Sequence, residues 1–191
     1  FRLSIDRRFH VSGAGLVVTG TASTGTIHVG DHLVLQPKSL EVRVRELRAN
    51  DVMVKSAAAG QRVALCLAGK VELGDIDRGD CLVEPSLDQL SHRFDVQLSL
   101  LSDAPTALKH LSPAKLYIGA GRVSAKVALI ENAISSLAPG QTKMAQLILD
   151  SPISAYSGER FVLRDDSESF HLGGGVILDP NGPQYGKAKP E

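Results

Sequence analysis

The stretch A-A-G-Q-R-V-A-L-C-L-A-G, Ala58–Gly69, decides the fold because it reads as a β-strand with two unlike faces. Side chains alternate across a strand. One face is bulky: Val63, Leu65 and Leu67. The other carries small residues and one arginine: Arg62, Ala64, Cys66 and Ala68. The bulky face predicts a core, and an arginine at the rim of a shallow face is placed to meet a ligand. The alternative is a solvated edge arginine whose stem covers the barrel wall.

The residues around this strand also read as short strands between turn residues. Leu16–Thr21 and Thr26–Val29 flank the turn S-T-G, and Gly30 with Asp31 turns the chain again into H-L-V-L, which predicts successive antiparallel hairpins. In E-V-R-V-R-E-L-R, Val42 and Val44 share one face, and Arg43 and Arg45 share the other. Helical periodicity is hard to find, so we expect an all-β chain. Six or more strands within about 85 residues predict a closed barrel.

A second barrel is predicted after a polar segment. Pro85–His92 (P-S-L-D-Q-L-S-H) interrupts the apolar pattern and predicts a domain boundary. The next strand, R-F-D-V-Q-L-S-L, alternates with inward positions at Phe94, Val96, Leu98 and Leu100. Further strand-like runs follow it. We therefore expect one barrel over residues 1–85, a second over 92–180, and a linker over 181–191 leading to further C-terminal domains.

Composition excludes little by itself. The 191 residues carry 21 basic and 21 acidic side chains, a formal net charge of +0, so a nucleic-acid partner must be met by a local patch. Cys66 and Cys81 sit in apolar runs and predict buried thiols in a reducing compartment. The sequence has no long apolar run and no leader pattern, so we expect a cytoplasmic protein with no membrane partner.

The sequence offers no catalytic constellation. Its six histidines show neither H-x-H spacing nor C-x-x-C partners, which argues against a metal site. It contains neither G-x-S-x-G nor G-x-x-x-x-G-K-[ST]. The glycine-rich segments Gly13–Gly15 and Gly173–Gly175 are interpreted as close backbone turns in a barrel. The acidic cluster at Asp165, Asp166 and Glu168 predicts a solvated hairpin tip rather than a metal or glycosidase site.

Four segments of the first half resemble domain 2 of the translational GTPases, the family of elongation factor Tu. They are F-H-V-S-G-A-G-L-V-V-T-G-T (Phe9–Thr21), G-T-I-H-V-G-D (Gly25–Asp31), A-G-Q-R-V-A-L (Ala59–Leu65) and I-D-R-G-D (Ile76–Asp80). The second half resembles the family's third domain through E-R-F-V-L-R-D (Glu159–Asp165) and G-G-G-V-I-L (Gly173–Leu178). The resemblance implies two consecutive antiparallel β-barrels of the domain 2 and domain 3 type. It places GTP, Mg²⁺ and GTP hydrolysis in a domain upstream of this chain, so we expect no cofactor and no catalysis here.

Within that family the chain resembles the bacterial selenocysteine-specific elongation factors, through F-R-L-S-I-D-R (Phe1–Arg7), G-A-G-L-V-V-T-G-T-A, A-G-Q-R-V-A-L and a tail ending in K-P-E. The resemblance implies that Arg7 and Arg62 meet the selenocysteinyl side chain. Elongation factor Tu has I-E-D-V-F and A-G-E-N-V where this chain has I-D-R-R-F and A-G-Q-R-V. A selenol is more acidic than a thiol and is largely ionised at neutral pH, whereas serine is neutral and cysteine is mostly protonated. Charge is therefore the expected discriminator.

Further contacts to tRNA are expected around this pair. The resemblance favours a pocket for the 3′ end of the tRNA near Phe9, His10, Gly13 and Gly15. Phosphate contacts are predicted at Arg43, Arg45 and Arg48 in the first half, and at Lys115, Arg122, Lys126 and Arg164 in the second. For the arginines of the first half, the alternative is an ordinary solvated strand face.

Together these observations predict a binding fragment of a factor that carries selenocysteinyl-tRNA to the ribosome. The resemblance assigns recognition of a selenocysteine-insertion hairpin in messenger RNA to domains beyond the C-terminus. Two alternatives stay open. One is a general aminoacyl-tRNA or initiator-tRNA carrier, in which Arg62 is a plain surface residue. The other is the barrel platform of a GTPase-linked sulfate-activating enzyme subunit.

Overall fold

A computed structural model describes residues 1–130 and 136–184 of the chain. The described residues divide into two compact units, the first comprising Phe1–Gln89 with Gly119–Gly121 and the second comprising most of the chain from Leu90 onward. Each unit contains its own closed β-barrel. The predicted all-β fold with two consecutive antiparallel barrels is confirmed.

The first unit contains nine strands and two short 3-10 helices. Its strands are β1 (Arg2–Val11), β2 (Gly15–Thr24), β3 (Thr26–His28), β4 (His32–Gln36), β5 (Leu40–Ala49), β6 (Val52–Met53), β7 (Ser56–Ala58), β8 (Arg62–Gly69) and β9 (Cys81–Val83). The 3-10 helices are Leu73–Asp75 and Pro85–Leu87. Six strands follow the order β4-β9-β1-β2-β8-β5, and β5 pairs back with β4 to close the barrel. Strand β6 pairs antiparallel with the end of β5, while β3 pairs with β7 in a separate two-stranded sheet.

The predicted strand Ala58–Gly69 is two strands with a turn between them. Ala58 ends β7 and Arg62 begins β8. The turn contains Gly60 at φ 88°, a left-handed conformation that glycine adopts without a Cβ penalty. The side-chain Oε1 of Gln61 accepts a hydrogen bond from the backbone N–H of Ala58 at 2.7 Å. Arg62 therefore starts its strand rather than lying within it, and the bulky face that follows is buried as predicted.

The predicted run of successive hairpins between residues 16 and 35 is wrong. Strand β2 pairs with β1 and β8, β3 pairs with β7, and β4 pairs with β5 and β9. The reason lies at Gly25, where a Cβ would come 2.7 Å from the backbone of Phe1 and φ is 71°. The chain turns tightly there, away from β2. Turn residues indicate where a chain bends, but closure of the barrel decides which strands pair.

The described residues of the second unit, 90–130 and 136–184, contain eight strands. They are β10 (Ser91–Leu100), β11 (Leu108–Lys109), β12 (Ser112–Ile118), β13 (Gly121–Leu129), β14 (Ser136–Leu137), β15 (Thr142–Ile153), β16 (Arg160–Asp165) and β17 (His171–Asp179). Six of them close in the order β10-β15-β13-β12-β16-β17, and β17 pairs with β10. The four predicted inward positions of β10 are all buried, and they pack in this barrel's own core.

The glycine run Gly173–Gly175 is part of strand β17, not a turn as predicted. A Cβ on Gly173, Gly174 or Gly175 would lie 2.1, 2.5 or 1.9 Å from a backbone oxygen of a neighbouring strand. Glycine is required there because no side chain fits between the strands. The other glycine-rich segment, Gly13–Gly15, does form a turn, between β1 and β2, and nothing lies within 4 Å of a Cβ built on Gly13 or Gly15.

A buried glutamine in each barrel holds the segment that follows the last barrel strand. In the first barrel, Gln36 Nε2 donates to Asp88 Oδ1 at 2.8 Å. In the second, Gln146 Nε2 donates to Asp95 Oδ1 at 2.7 Å and to the carbonyl of Pro183 at 2.9 Å. Residues 181–184 of the predicted linker are therefore fastened to the second barrel, while residues 185–191 lie outside the described residues.

Two further facts bear on function. Cys66 is buried and Cys81 is half-buried, and neither forms a disulfide. No helix within residues 1–130 and 136–184 is both long enough and apolar enough to span a bilayer.

Candidate functional site

Strand register brings the predicted selenocysteinyl-binding residues to one outer face of the first barrel. Residues that are directly paired across antiparallel strands share a face. Arg7 pairs with Thr19, and Thr19 pairs with Ala64. Two residues further along the same face, Val17 pairs with Cys66. Arg62 lies two residues before Ala64 on β8. We call the outward side of β2 and β8 formed by Thr19, Ala64 and Cys66 the small-residue face.

A β-bulge in β1 adds a carboxylate to this face. The register shifts between Ile5, which pairs with Gly20, and Arg7, which pairs with Thr19, so Asp6 is the extra residue. A bulge leaves one residue unpaired and redirects the side chains beside it. The Thr19 hydroxyl donates to Asp6 Oδ1 at 2.7 Å, which fixes the carboxylate at the edge of the small-residue face.

Arg62 is held in a two-point contact by this carboxylate. Its Nη1 donates to Asp6 Oδ2 and its Nη2 donates to Asp6 Oδ1 at 3.1 Å. Nη2 also lies 3.4 Å from the Thr19 hydroxyl oxygen. The Arg62 side chain keeps 51% of its surface exposed. The guanidinium is thus fixed in orientation while its outer edge faces solvent.

The charges on this pair support each other. The hydrogen bond from Arg62 holds the pKa of Asp6 below its usual range, Thr19 and the charge of Arg7 act in the same direction, and partial burial opposes them. The same contact raises the pKa of Arg62. Both groups are therefore ionised at neutral pH. Since Arg7 adds a second guanidinium to one carboxylate, the edge of the face carries a net positive charge.

Asp6 is the residue of this candidate site that sequence reasoning missed. A period-2 pattern places Asp6 and Arg7 on opposite faces, and nothing in the apolar alternation of β1 predicts the bulge that changes this. The signal in the sequence was the departure from elongation factor Tu, which has E-D where this chain has Asp6 and Arg7. The new charge in that pair is at Arg7, whereas position 6 is acidic in both proteins.

The residues predicted to receive the 3′ end of tRNA are divided by the structure. Phe9 pairs with Val17, so it lies on the same side of β1 as Arg7, and it is 39% exposed. His10 pairs with Leu16, a core residue, and so lies on the other side of the strand. The turn at Gly13 and Gly15 reaches the small-residue face through Ala14, whose carbonyl accepts a hydrogen bond from Cys66 Sγ at 2.8 Å. Burial raises the pKa of the Cys66 thiol, which keeps it protonated.

The three arginines of β5 occupy different positions. Arg43 Nε donates to the carbonyl of Gly30 at 3.3 Å, and the residue pairs with Ala68. A second bulge falls between Val44 and Glu46 and contains Arg45. Arg48 pairs with Ala64 at the centre of the small-residue face. These residues were predicted as one set of phosphate contacts, but strand register separates them.

In the second barrel, three of the four predicted phosphate-binding residues contact the turn between β16 and β17. Lys115 Nζ lies 3.1 Å from Asp166 Oδ1, and Arg122 Nη1 lies 2.6 Å from Glu168 Oε1. Arg164 donates to the backbone carbonyl of Glu168. Lys126 is exposed on β13, away from these acids in sequence.

Glu168 is the centre of this cluster. The Tyr117 hydroxyl donates to Glu168 Oε2 at 2.6 Å, while Arg122 holds the other oxygen. The hydrogen bond from Tyr117, together with the charges of Arg122, Arg164 and Lys115, lowers the pKa of Glu168. The predicted solvated hairpin tip is therefore an acidic turn that is bound to the basic residues beside it.

The described residues thus form two closed barrels that follow one another in the chain, and the first displays arginines over a shallow outer face. Residues 92–184 match the family model described as selenocysteine-specific elongation factor, beta-barrel domain. Over its barrel domains, the chain belongs to the selenocysteine-specific elongation factor family.

Individual relatives agree with this assignment. The chain is 39% identical to the selenocysteine-specific elongation factor of Escherichia coli K12 over 191 residues, which is all of this chain and 29% of the relative. It is 32% identical to that of Desulfomicrobium baculatum over 95% of this chain and 28% of the relative. A crystal structure of a bacterial selenocysteine-specific elongation factor superposes with a TM-score of 0.73 at 25% identity, over 92% of this chain and 27% of that one. The chain thus spans less than a third of these proteins.

Proposed function

We propose that this chain is the tRNA-binding barrel pair of a factor that carries selenocysteinyl-tRNA to the ribosome, and that the small-residue face selects the selenocysteinyl group. The observation that carries the proposal is the Asp6–Arg62 contact beside Arg7, at the rim of that face. The related proteins, which are more than three times as long as this chain, are named selenocysteine-specific elongation factors, and this name supports the proposal.

Charge is the property by which this face distinguishes its ligand. The seryl precursor is attached to the same tRNA, so contacts to the tRNA cannot separate the two forms. A selenolate presents a full negative charge to Arg7 and Arg62, whereas a seryl hydroxyl presents only a neutral dipole. Hydrogen bonds to a charged partner are stronger than those to a neutral one, so the difference between the two side chains appears directly as a difference in affinity.

Asp6 prepares Arg62 for this role. An unpaired arginine on a strand edge samples many rotamers, and ordering it upon binding costs conformational entropy. The two-point contact with Asp6 fixes the guanidinium before the ligand arrives. A guanidinium has five N–H donors and Asp6 occupies two nitrogens from one side, so donors remain for a second anion. Asp6 neutralises the charge of Arg62, and Arg7 supplies the additional positive charge that attracts an anion.

The neighbouring residues complete the proposal. Phe9 lies on the same side of β1 as Arg7 and offers an exposed ring on which the terminal adenine of tRNA can stack. The turn at Gly13 and Gly15 leaves open space in which the acceptor end can approach the backbone. In the longer protein, GTP hydrolysis and recognition of a messenger-RNA hairpin belong to regions outside these residues.

The test is the affinity of the longer factor for one tRNA charged with either selenocysteine or serine. The wild-type factor should prefer the selenocysteinyl form by about tenfold or more, because hydrogen bonds to a charged group are the stronger ones. Arg62→Ala should abolish most of that preference, and Arg7→Ala should reduce it. Arg43→Ala is the matched control for the preference, which it should leave unchanged even if a lost phosphate contact weakens both charged forms, because its guanidinium contacts the Gly30 carbonyl.

The other outcomes identify the alternatives. Equal binding of both charged tRNAs by the wild type overturns selection by charge and favours a general aminoacyl-tRNA or initiator-tRNA carrier. Failure to bind any aminoacylated tRNA overturns the carrier function and favours a barrel platform for a partner protein.

A further inference from the structure

Arg48 lies in the same row of residues as Arg7, on the opposite side of the small-residue face. The row runs across four strands: Arg7 pairs with Thr19, Thr19 with Ala64, and Ala64 with Arg48. Paired residues share a face, so Arg48 points outward like Arg7. Its side chain is exposed. The two arginines flank a floor made of one threonine and one alanine.

The length of this row suits a small ligand. Neighbouring strands are about 4.8 Å apart, so three steps separate the backbones of Arg7 and Arg48 by about 14 Å. Two arginine side chains that extend toward each other cover much of that distance. Arg62 is two residues from Ala64 along β8, about 7 Å at the rise of a strand. Three arginines therefore start from backbone positions that are within side-chain reach of the space above Ala64.

The three arginines differ in their existing partners. Arg62 is bound by Asp6. Within residues 1–130 and 136–184, the guanidinium of neither Arg7 nor Arg48 donates a hydrogen bond or forms an ion pair. The Asp6–Arg62 contact is neutral as a unit, so the positive charge beside the floor comes from Arg7 on one side and Arg48 on the other. Glu46, which pairs with Cys66 on the same face, places one negative charge in the neighbouring row.

The other arginines of β5 do not share this position. Arg43 pairs with Ala68, which is four residues after Ala64 on β8, and its guanidinium contacts the Gly30 carbonyl. Arg45 lies in the bulge next to Glu46, and both charges act on Cys66 in opposite directions. Arg48 alone of the three faces the centre of the small-residue face.

We infer that Arg48 is a third specificity-determining residue, which faces the anionic side chain of the aminoacyl group from the β5 side while Arg7 faces it from the β1 side. This inference rests on the proposed function, and it moves Arg48 from the predicted phosphate contacts to the selecting face. A phosphate contact strengthens binding of every charged form of a tRNA equally. A selecting residue strengthens binding of the anionic form alone.

The test measures the dissociation constants of the longer factor for one tRNA charged with selenocysteine or serine, in four proteins. These are the wild type, Arg48→Ala, Arg48→Lys and the control Arg43→Ala. Arg48→Ala should lower the preference for selenocysteine by about fivefold with little change in the affinity for the seryl form. Arg48→Lys should keep most of the preference, because it keeps the charge. Far-UV circular dichroism establishes that each variant is folded.

Each other outcome has a distinct meaning. If Arg48→Ala weakens both forms equally, Arg48 is a phosphate contact and the inference is overturned while the proposed function stands. If the preference is unchanged, Arg48 is an ordinary solvated strand residue and the inference again fails alone. If the wild type itself shows no preference, the proposed function fails and this inference fails with it.

Discussion

The two barrels are alike in strand number and closure but unlike in how they use positive charge. On the first barrel, Arg7 and Arg48 flank the small-residue face, and among the described residues neither guanidinium forms an ion pair. On the second, Lys115, Arg122 and Arg164 contact the acidic turn between β16 and β17. A count of basic residues does not distinguish the two surfaces. Only the positions of the acids do, and they favour the first barrel as the surface ready to receive an anion.

The acidic turn leads directly into β17, and altering the glycine run of that strand should have the largest effect. Gly175→Ala places a Cβ 1.9 Å from the backbone oxygen of Gln97, so the backbone must shift. We expect a loss of about 3 kcal/mol in the free energy of unfolding, at the upper end of the cost of overpacking. Urea unfolding followed by circular dichroism measures it.

Gly74→Ala is the matched control in the first barrel. A Cβ on Gly74 has nothing within 4 Å, and its φ lies outside the left-handed region. Its unfolding free energy should change by no more than about 0.5 kcal/mol. Equal stability of the two variants would show that β17 does not need glycine to approach its neighbours, and that the acidic turn is positioned by its own hydrogen bonds.

Much of this architecture follows from sequence pattern, and the exceptions have a common cause. The alternation in β10 predicted the core positions Phe94 and Leu98 because burial on one face requires period-2 spacing. The partner of β3 could not be predicted in that way, since strand pairing depends on barrel closure between distant segments. The same limit applies to Glu168, whose contact with Arg122 joins residues 46 apart in the chain.

The candidate site was predicted only in part for a related reason. The contrast between the charge of Arg62 and the small residues around it drew attention to this residue, and the family resemblance gave it a predicted role. Asp6 was not, because a bulge changes which face a residue occupies without leaving a mark in the apolar pattern. Arg48 was grouped with Arg43 and Arg45 because alternation alone does not show which residue of β8 each of them opposes.

Removing the acidic partners of the basic residues on the second barrel should have an intermediate effect, on the affinity for tRNA. In a variant carrying Asp166→Asn and Glu168→Gln, Lys115 and Arg122 lose their charged partners, while the amide of residue 168 can still accept the Tyr117 hydroxyl. We expect the affinity of the longer factor for aminoacyl-tRNA to rise by about threefold, in keeping with the modest strength of exposed ion pairs. Filter binding over a range of salt concentrations measures it.

The salt dependence of the affinity shows whether the double variant gains new contacts to tRNA phosphates or only changes its net charge. Each new phosphate contact should steepen the slope of log affinity against log salt by about one. Asp103→Asn removes an exposed acid elsewhere in the second unit and should leave both affinity and slope nearly unchanged. If the double variant behaves like this control, the basic residues near the acidic turn do not meet tRNA, and the contrast between the barrels is stronger than proposed.

The smallest expected effect concerns the ionisation of Asp6. Arg62 is the main cause of the lowered pKa of this carboxyl, so Arg62→Ala should raise that pKa toward its ordinary value of 3.8. Carbon-detected NMR titration of the Asp6 carboxyl measures the change. Arg43→Ala should leave the titration unaltered, because Arg43 contacts Gly30 rather than Asp6.

The sign of the accompanying stability change follows from the direction of the shift. A carboxyl whose pKa is lowered by folding stabilises the folded state above its unfolded pKa, and it loses that contribution as pH falls through the folded pKa. The stability difference between the wild type and Arg62→Ala should therefore be present at neutral pH and shrink as the pH falls below 3.8. An unchanged Asp6 titration in Arg62→Ala would mean that Thr19 and the charge of Arg7 lower the pKa of this carboxyl, and that the contact with Arg62 is not the main cause.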